Sequence, residues 1–256
     1  MLDAFIYDFG YPWPFAYGHL IAAASFAFLA FVASRFHRVR MTIVASVLAA
    51  WALAGAYVVH HVVRLNRPVD LPTEQFLRAG GGRVLDLGAG SGRSAIMVLK
   101  SRPRATLTAL DIYSGHFGIA PNTPDRMMAN ARIAGVADRA DVKVGDMRRI
   151  PLDDESYDAV VSVAAIDHLR ADDVKKALGE AARVLKPRGE LLLMNVNVDG
   201  WIRTAFPWMH GHGYFGRSQD AGRWRSMIEG AGFEMVEQGT RPATMYFLAR
   251  KNAEKG

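Results

Sequence analysis

The chain has 256 residues, of which 50% are hydrophobic and 22% are charged, so it can bury a sizeable core and still leave apolar residues over. It contains no cysteine, which excludes disulfides, thiolate metal sites and cysteine nucleophiles. The net charge of +6 suggests acidic partners such as anionic phospholipid or nucleic acid. No run of about five or more basic residues is present, so a nucleic-acid-binding tail is not predicted.

Two long segments near the N-terminus carry no Asp, Glu, Lys or Arg: residues 15–34 and 41–63. As a helix, the second would be roughly 34 Å long, which exceeds the hydrocarbon core of a bilayer at about 30 Å. Both segments are rich in alanine, which suits close packing of two antiparallel helices in lipid. The sequence therefore predicts an N-terminal transmembrane helical hairpin in a membrane anchor over residues 1–66. Two buried helices of a soluble protein are the alternative.

Aromatic residues before the first segment resemble an interfacial belt: Tyr7, Phe9, Tyr11 and Trp13. Asp3 and Asp8 stand where a signal peptide would need positive charge, so a cleaved signal is not expected. The orientation of the hairpin stays open. Three arginines in the loop 35–40 favour a cytoplasmic loop, whereas four arginines in 64–83 favour a cytoplasmic C-terminal part. Either the loop is exported despite its charge or the hairpin inserts monotopically with the loop at the headgroups.

A proline-containing linker, residues 66–72, separates this anchor from a predicted α/β domain over 67–256. Strand-like and helix-like runs alternate there, which predicts a doubly wound sheet with ligands at the carboxyl ends of its strands. The predicted strands are 83–87, 105–111, 141–145, 157–163, 189–195, 233–238 and 243–250. The predicted helices are 74–79, 92–101, 123–134, 171–185 and 219–230. The short connection between the last two strands fits an antiparallel hairpin.

A glycine-rich segment follows the first of these strands, which carries Asp86 near its end. Three glycines come at alternate positions: Gly88, Gly90 and Gly92. Such glycines let the backbone turn tightly and bring its amides close to a ligand. A dinucleotide-binding loop would need glycine at 93, where this chain has Arg93. Asp111 ends the next strand, nineteen residues after Gly92, at the distance where such folds place a carboxylate on a ribose.

The segment 84–93 resembles the D/E-x-G-x-G-x-G motif of class I S-adenosylmethionine (SAM) dependent methyltransferases. Three further stretches resemble later segments of this family: residues 145–147, 151–160 and 183–191. The last of them has Arg188 where glycine is commoner. The resemblance covers roughly residues 71–251. This region is similar to ubiquinone/menaquinone C-methyltransferases and phospholipid N-methyltransferases. The resemblance implies a Rossmann-like, doubly wound, seven-stranded sheet with an antiparallel last strand, and SAM as the cofactor.

The resemblance also implies a set of cofactor-binding residues. Asp86 would act on the methionine end of SAM, Asp111 on the ribose hydroxyls and Asp146 on the adenine amino group. The full set is Asp86, Gly88, Ala89, Gly90, Gly92, Asp111, Ile112, Asp146 and Met147. For the acidic members, the alternative is an ordinary turn residue.

Candidates for the catalytic step are Asp167 and His168, which follow the fourth strand, and His210 in the insertion after the fifth. His168 could act as a base near neutral pH, the alternative being a packed or helix-start histidine. His210 and His212 could contact the acceptor or bind a metal, but no third ligand cluster stands out, so no metal is predicted. The fourth strand lacks the N/D-P-P-Y/F signature of enzymes that methylate base or glutamine nitrogens, so such substrates are not expected.

These patterns together predict a membrane-anchored methyltransferase whose catalytic domain faces the cytoplasm, in a bacterial inner membrane. An anchor is most useful if the acceptor is itself in the bilayer, so a small lipophilic acceptor is expected, a quinone precursor or a phospholipid amine. The alternative is a SAM-binding membrane scaffold or regulator without turnover. A nucleic-acid methyltransferase rests only on the basic charge, and no nucleic-acid partner is expected.

Overall fold

The computed structural model describes residues 7–115, 118–209 and 220–253. Its strands are β1 Gly81–Leu87, β2 Arg104–Asp111, β3 Ala140–Val144, β4 Tyr157–Val163, β5 Leu185–Val196, β6 Phe233–Arg241 and β7 Thr244–Lys251. Its α-helices are α1 Trp13–Arg35, α2 Val39–Tyr57, α3 Arg93–Ser101, α4 Pro124–Ile133, α5 Ala171–Val184, α6 Gly200–Ala205 and α7 Ala221–Gly230. A π-helical turn, Val58–Val62, continues α2. Two 3₁₀ turns lie at Ala137–Arg139 and Ile166–His168.

The seven strands form one sheet in the order β3-β2-β1-β4-β5-β7-β6. The pairs among β1 to β5 are parallel, and β7 runs antiparallel to both β5 and β6. This confirms the Rossmann-like sheet with an antiparallel last strand. The strand order reverses between β1 and β4, and such a switch point leaves a crevice at the carboxyl ends of the two strands.

The core lies on both faces of the sheet. Tyr157, Trp224 and Phe247 belong to the cluster under α5 and α7, and Ile96 and Met127 belong to the cluster under α3 and α4. Central parallel strands are buried on both sides and therefore read as near-continuous apolar runs. This is why the sequence located β1, β2, β4 and β5 well.

The two N-terminal helices pack against each other over their length. Small side chains at Ala23, Ala45 and Ala52 are buried, while large apolar ones such as Phe28 and Val47 are exposed. By length and composition, both Trp13–Arg35 and Val39–Val62 could cross a membrane. An apolar exterior around a small-residue interior is the arrangement expected of helices packed in lipid.

The predicted helix at 74–79 is wrong, because the chain there forms a series of turns. Leu77 has a positive φ of 44° and its amide donates to Glu190 Oε2 at 2.7 Å. A left-handed residue interrupts the helical hydrogen-bond ladder, so no helix can continue through it.

The interfacial role predicted for Phe9 is also wrong. Its side chain is 3% exposed and belongs to the core cluster under α3. Tyr7 and Tyr11 pack against the same cluster, whereas Trp13 is 65% exposed. The stretch before α1 is therefore part of the packing of the α/β domain.

The short helix α6 was not predicted from the sequence. It starts after Asp199, whose Oδ1 accepts hydrogen bonds from the backbone amides of Trp201 at 2.9 Å and Ile202 at 3.2 Å. This N-cap stabilises a helix too short to show a periodic pattern.

Candidate active site

A cavity of about 440 Å³ lies at the switch point, at the carboxyl ends of β1, β2 and β4. The structure brings seven of the predicted site residues to its wall: Gly88, Gly90, Asp111, Ile112, Asp146, Met147 and His168. Ligands of doubly wound sheets bind at such a position. The cavity is therefore the candidate active site.

The glycine-rich turn shapes one wall of this cavity. Gly88 and Gly90 have positive φ angles of 75° and 52°. A Cβ on Gly88 would lie 2.4 Å from the Cβ of Ala165, and one on Gly90 would lie 2.9 Å from Ile119 Cδ1. The positive φ favours glycine at both positions, and at Gly88 the contact with Ala165 leaves no space for a side chain. Ala89 is buried beneath the turn, and Gly92 is the last residue before α3.

Asp111 fixes this turn to the end of β2. Its Oδ2 accepts from the Gly90 amide at 2.8 Å, and its Oδ1 accepts from the Tyr113 amide at 2.6 Å and from Asn122 Nδ2 at 3.2 Å. Among the described residues, Tyr113 OH, Ser114 Oγ and Asn122 Oδ1 are buried with no hydrogen-bond partner. Buried polar atoms without a partner are costly, so this corner has unused hydrogen-bonding capacity for a polar ligand.

Asp86 lies behind the glycine-rich turn and has no exposed surface. Ser94 Oγ donates to its Oδ2 at 2.6 Å, while its Oδ1 has no partner in the part of the chain that the structure describes. Burial raises the pKa of Asp86 to about 7; the nearby Asp111 charge adds to this rise and the bond from Ser94 opposes it. A cationic ligand beside the turn would favour the ionised carboxylate.

Asp146 follows β3 and is held by a residue that the sequence reasoning missed. Arg148 Nε lies 3.0 Å from both carboxylate oxygens, and its Nη2 donates to Oδ2 at 2.6 Å. These hydrogen bonds from Arg148 lower the pKa of Asp146. Arg148 also contacts Asp173 of α5 at 3.2 Å. The spacing of two residues between Asp146 and Arg148 does not by itself indicate this pairing.

Asp167 and His168 form the end of the 3₁₀ turn after β4. His168 is half-buried and lines the cavity. Asp167 is buried and its Oδ2 accepts from the Val196 amide at 3.2 Å, so it joins the ends of β4 and β5 instead of lining the cavity. His210 and His212 lie outside the described residues. Within those residues, no group of three or more His, Asp or Glu side chains could hold a metal ion.

The residues around the cavity fit SAM. The molecule carries a sulfonium and an ammonium group, which two nearby carboxylates, Asp86 and Asp111, would favour. Its ribose and carboxylate need hydrogen-bond donors and acceptors, which the unpaired atoms near Asp111 can supply. Gly88 and Gly90 line the cavity and carry no side chain that would hold a ligand away from the backbone.

Part of the α/β domain is similar to known methyltransferases. Residues 84–189 match the family model described as a methyltransferase domain. The chain is 32% identical over 132 residues to the malonyl-[acyl-carrier protein] O-methyltransferase of Methylococcus capsulatus, covering 52% of this chain and 44% of that protein. It is 32% identical over 115 residues to a ubiquinone/menaquinone biosynthesis C-methyltransferase of Bartonella bacilliformis, covering 44% and 41%.

Among solved structures, an O-methyltransferase family protein from Burkholderia thailandensis superposes with a TM-score of 0.58 and 16% identity. The match covers 82% of this chain and 61% of that protein, and it supports the fold alone. The chain spans about a third to a half of the length of the first curated relatives that it matches.

The fold, the site and the family match define a methyltransferase domain at residues 84–189. Methyltransferases of this class take their methyl group from SAM. For this domain, the enzyme class and the cofactor predicted from the sequence are thereby confirmed.

Proposed function

We propose that this protein is a membrane-anchored methyltransferase that transfers a methyl group from SAM to a small lipophilic acceptor. The acceptor would be an isoprenoid quinone precursor or a phospholipid amine. The observation that carries this proposal is the position of the apolar helices relative to the cavity. Val58, Val59 and Leu65, at the end of the second helix, pack with Ala243 of the β6–β7 turn and with Ile202 of α6. Both partners lie near the carboxyl end of β5, at the sheet edge where the cavity also lies.

In this proposal, residues 1–66 provide the anchor and 67–256 the catalytic domain, with the stretch before α1 packed on the latter. The catalytic domain would face the cytoplasm of a bacterial cell, where SAM is available, from the inner membrane. An acceptor dissolved in the bilayer would then reach the cavity without crossing bulk water. The hairpin either spans the bilayer or inserts monotopically.

Each site residue would have a separate binding role, set by its charge and position. Asp111 would accept hydrogen bonds from the ribose hydroxyls, Asp146 from the adenine amino group, and Asp86 would favour the cationic methionine end. Ile112 and Met147 would contact the adenine ring. The bound cofactor supplies an electrophilic methyl group on a sulfonium.

Transfer is an in-line displacement in which the acceptor atom bonds to the methyl carbon as the sulfur–carbon bond breaks. Much of its rate can come from holding the two partners in line. His168 lines the cavity and would take the proton that the acceptor loses.

The test is methyl transfer by the full chain in detergent, with SAM labelled in its methyl group and a bacterial membrane-lipid extract as acceptor. The proposal would be supported if a lipid of the extract became labelled and if this labelling were lost in Asp111→Ala. Label only in water-soluble molecules would make the hairpin a means of localisation. Binding of SAM with no labelled product would favour the scaffold without turnover.

A further inference from the structure

Helix α6 is attached to the sides of the two apolar helices, not only to their ends. His19 Nε2 donates to the carbonyl of Ala205 at 2.8 Å, and Trp51 Nε1 donates to the carbonyl of Thr204 at 2.9 Å. His19 is about 9 Å along α1 from Trp13, and Trp51 is about 16 Å from the end of the second helix at Val62. These contacts therefore place α6 alongside the apolar part of the hairpin.

These two bonds satisfy backbone groups that a short helix leaves open. The last carbonyls of any helix lack an intrahelical partner and normally bond to water. In a medium with little water, such carbonyls must be satisfied by protein. The hairpin supplies side-chain donors to two of them, so α6 is equipped for a poorly hydrated location.

The exposed side chains of α6 and of the segment that follows it to Trp208 are those typical of a membrane surface. Trp201 is 43% exposed and Trp208 is 64% exposed. Arg203 between them is also exposed. Trp rings prefer the headgroup level of a bilayer, and an arginine there can pair with phosphate. The opposite face packs on the hairpin, with Phe206 stacked on Phe15 at 5.2 Å.

We propose that α6 and the segment to Trp208 form a membrane-surface element that lies in the headgroup layer of a phospholipid bilayer, beside α1 and α2. The proposal rests on the proposed function, because it requires the hairpin to be inserted. Continuity with the apolar surface of the hairpin and the exposed Arg203 argue for lipid as the occupant. Because α6 follows β5 directly, this element would hold the carboxyl edge of the sheet, and with it the cavity, against the membrane.

Site-directed spin labelling of the full chain tests this directly, since the chain has no cysteine to remove. Single cysteines would replace Gly200 and Arg203 in α6. An added Cβ at Gly200 meets no atom within 4 Å. Val47, on the exposed face of α2, serves as the hydrocarbon reference, and Glu74, whose side chain is 93% exposed on the α/β domain, as the water reference. Nitroxide-labelled proteins would be reconstituted in vesicles of phosphatidylcholine and phosphatidylglycerol.

The readout is the accessibility of each label to oxygen, which concentrates in the bilayer, against a water-soluble nickel complex. The ratio of oxygen accessibility to nickel-complex accessibility is compared between labels. For the labels at positions 200 and 203, we expect this ratio to differ from that at position 74 and to approach that at position 47. If the labels at positions 200 and 203 gave the same ratio as the label at position 74, while the label at position 47 lay in hydrocarbon, the inference would be overturned and the anchor would stand. A water-like ratio at 47 would overturn the anchor as well. Unfolding midpoints matching the unlabelled protein would show that each labelled chain is folded.

Discussion

At the scale of single residues, Asp86 gives the site a distinct dependence on pH. Burial raises the pKa of Asp86 to about 7 in the folded protein, from an ordinary value of 3.8. Between these values the folded chain keeps a proton that the unfolded chain has lost. The stability contributed by Asp86 is therefore full below about pH 4 and falls as the pH rises towards 7.

Asp86→Asn retains a side-chain oxygen that can accept from Ser94. At about pH 8 we expect its free energy of unfolding to exceed that of the original chain by on the order of 1 kcal/mol or more. At about pH 4 this difference should be much smaller. Urea unfolding of the cofactor-free chain in detergent measures this. Asp141→Asn, at an exposed position of β3, is the matched control. An equal stability difference at both pH values would show that Asp86 does not titrate in this range.

His168 is the cavity residue to which the proposal gives a proton-transfer role. We expect His168→Ala to lower turnover on the true acceptor by about 10²-fold or more, the usual contribution of a general base, with little change in SAM affinity. Steady-state kinetics and calorimetry separate the two effects. His37→Ala, in the exposed loop between α1 and α2, should leave both unchanged. Full activity of His168→Ala would rule out the base assignment.

At the scale of elements, Arg93 joins the glycine-rich turn to the hairpin. It is the first residue of α3. Its guanidinium donates to the carbonyls of Val63, Arg64 and Arg67, at 3.1, 3.0 and 2.9 Å, and to Tyr11 OH at 3.1 Å. It also lies 5.7 Å from the ring centroids of both Phe9 and Tyr11. One side chain therefore ties both ends of the hairpin to the start of α3.

A lysine cannot reproduce this planar set of donors. We expect Arg93→Lys to lower the free energy of unfolding by about 2 kcal/mol and to weaken SAM binding, because hydrogen bonds from a charged group are lost and the turn loses its support. Denaturant unfolding and calorimetric titration are the measurements. Lys100→Met, at an exposed position of the same helix, is the control. If Arg93→Lys bound SAM as tightly as the original chain, the hairpin and the site would be uncoupled.

The elements also show which parts of the structure can be predicted from sequence. The central strands and the glycine-rich turn could be predicted, because burial on both faces and a demand for positive φ leave direct marks on residue type. A helix at 74–79 could not be excluded from the sequence, because nothing in the residue type of Leu77 indicates its left-handed backbone. The partnership of Asp146 with Arg148 and the core position of Phe9 depend on contacts that spacing does not encode.

At the scale of the whole molecule, the segment before α1 shares a core with the α/β domain. Ser91 Oγ, in the glycine-rich turn, donates to the Phe9 carbonyl at 2.8 Å. Asn130 Nδ2 of α4 donates to the carbonyls of Asp8 and Ser91, at 2.8 and 2.9 Å. The segment before α1 thus holds the turn from behind. A fragment that starts at residue 68 would lack it.

We expect Phe9→Ala to lower the free energy of unfolding by about 3–5 kcal/mol, the usual cost of removing a buried phenylalanine. The reason is that its side chain fills the core under α3. Phe36→Ala, 71% exposed in the loop between α1 and α2, should cost far less. Both are measured on the full chain in detergent. Equal costs would mean that the segment before α1 does not support the domain.

The cavity at the switch point should bind SAM through Asp111. The most direct measurement is calorimetric titration of the full chain in detergent with SAM, alongside Asp111→Ala and the control Asp141→Ala. We expect the original chain and Asp141→Ala to bind SAM alike, and Asp111→Ala to lose binding while still folded. Unchanged binding by Asp111→Ala, or no binding by the folded original chain, would contradict this expectation.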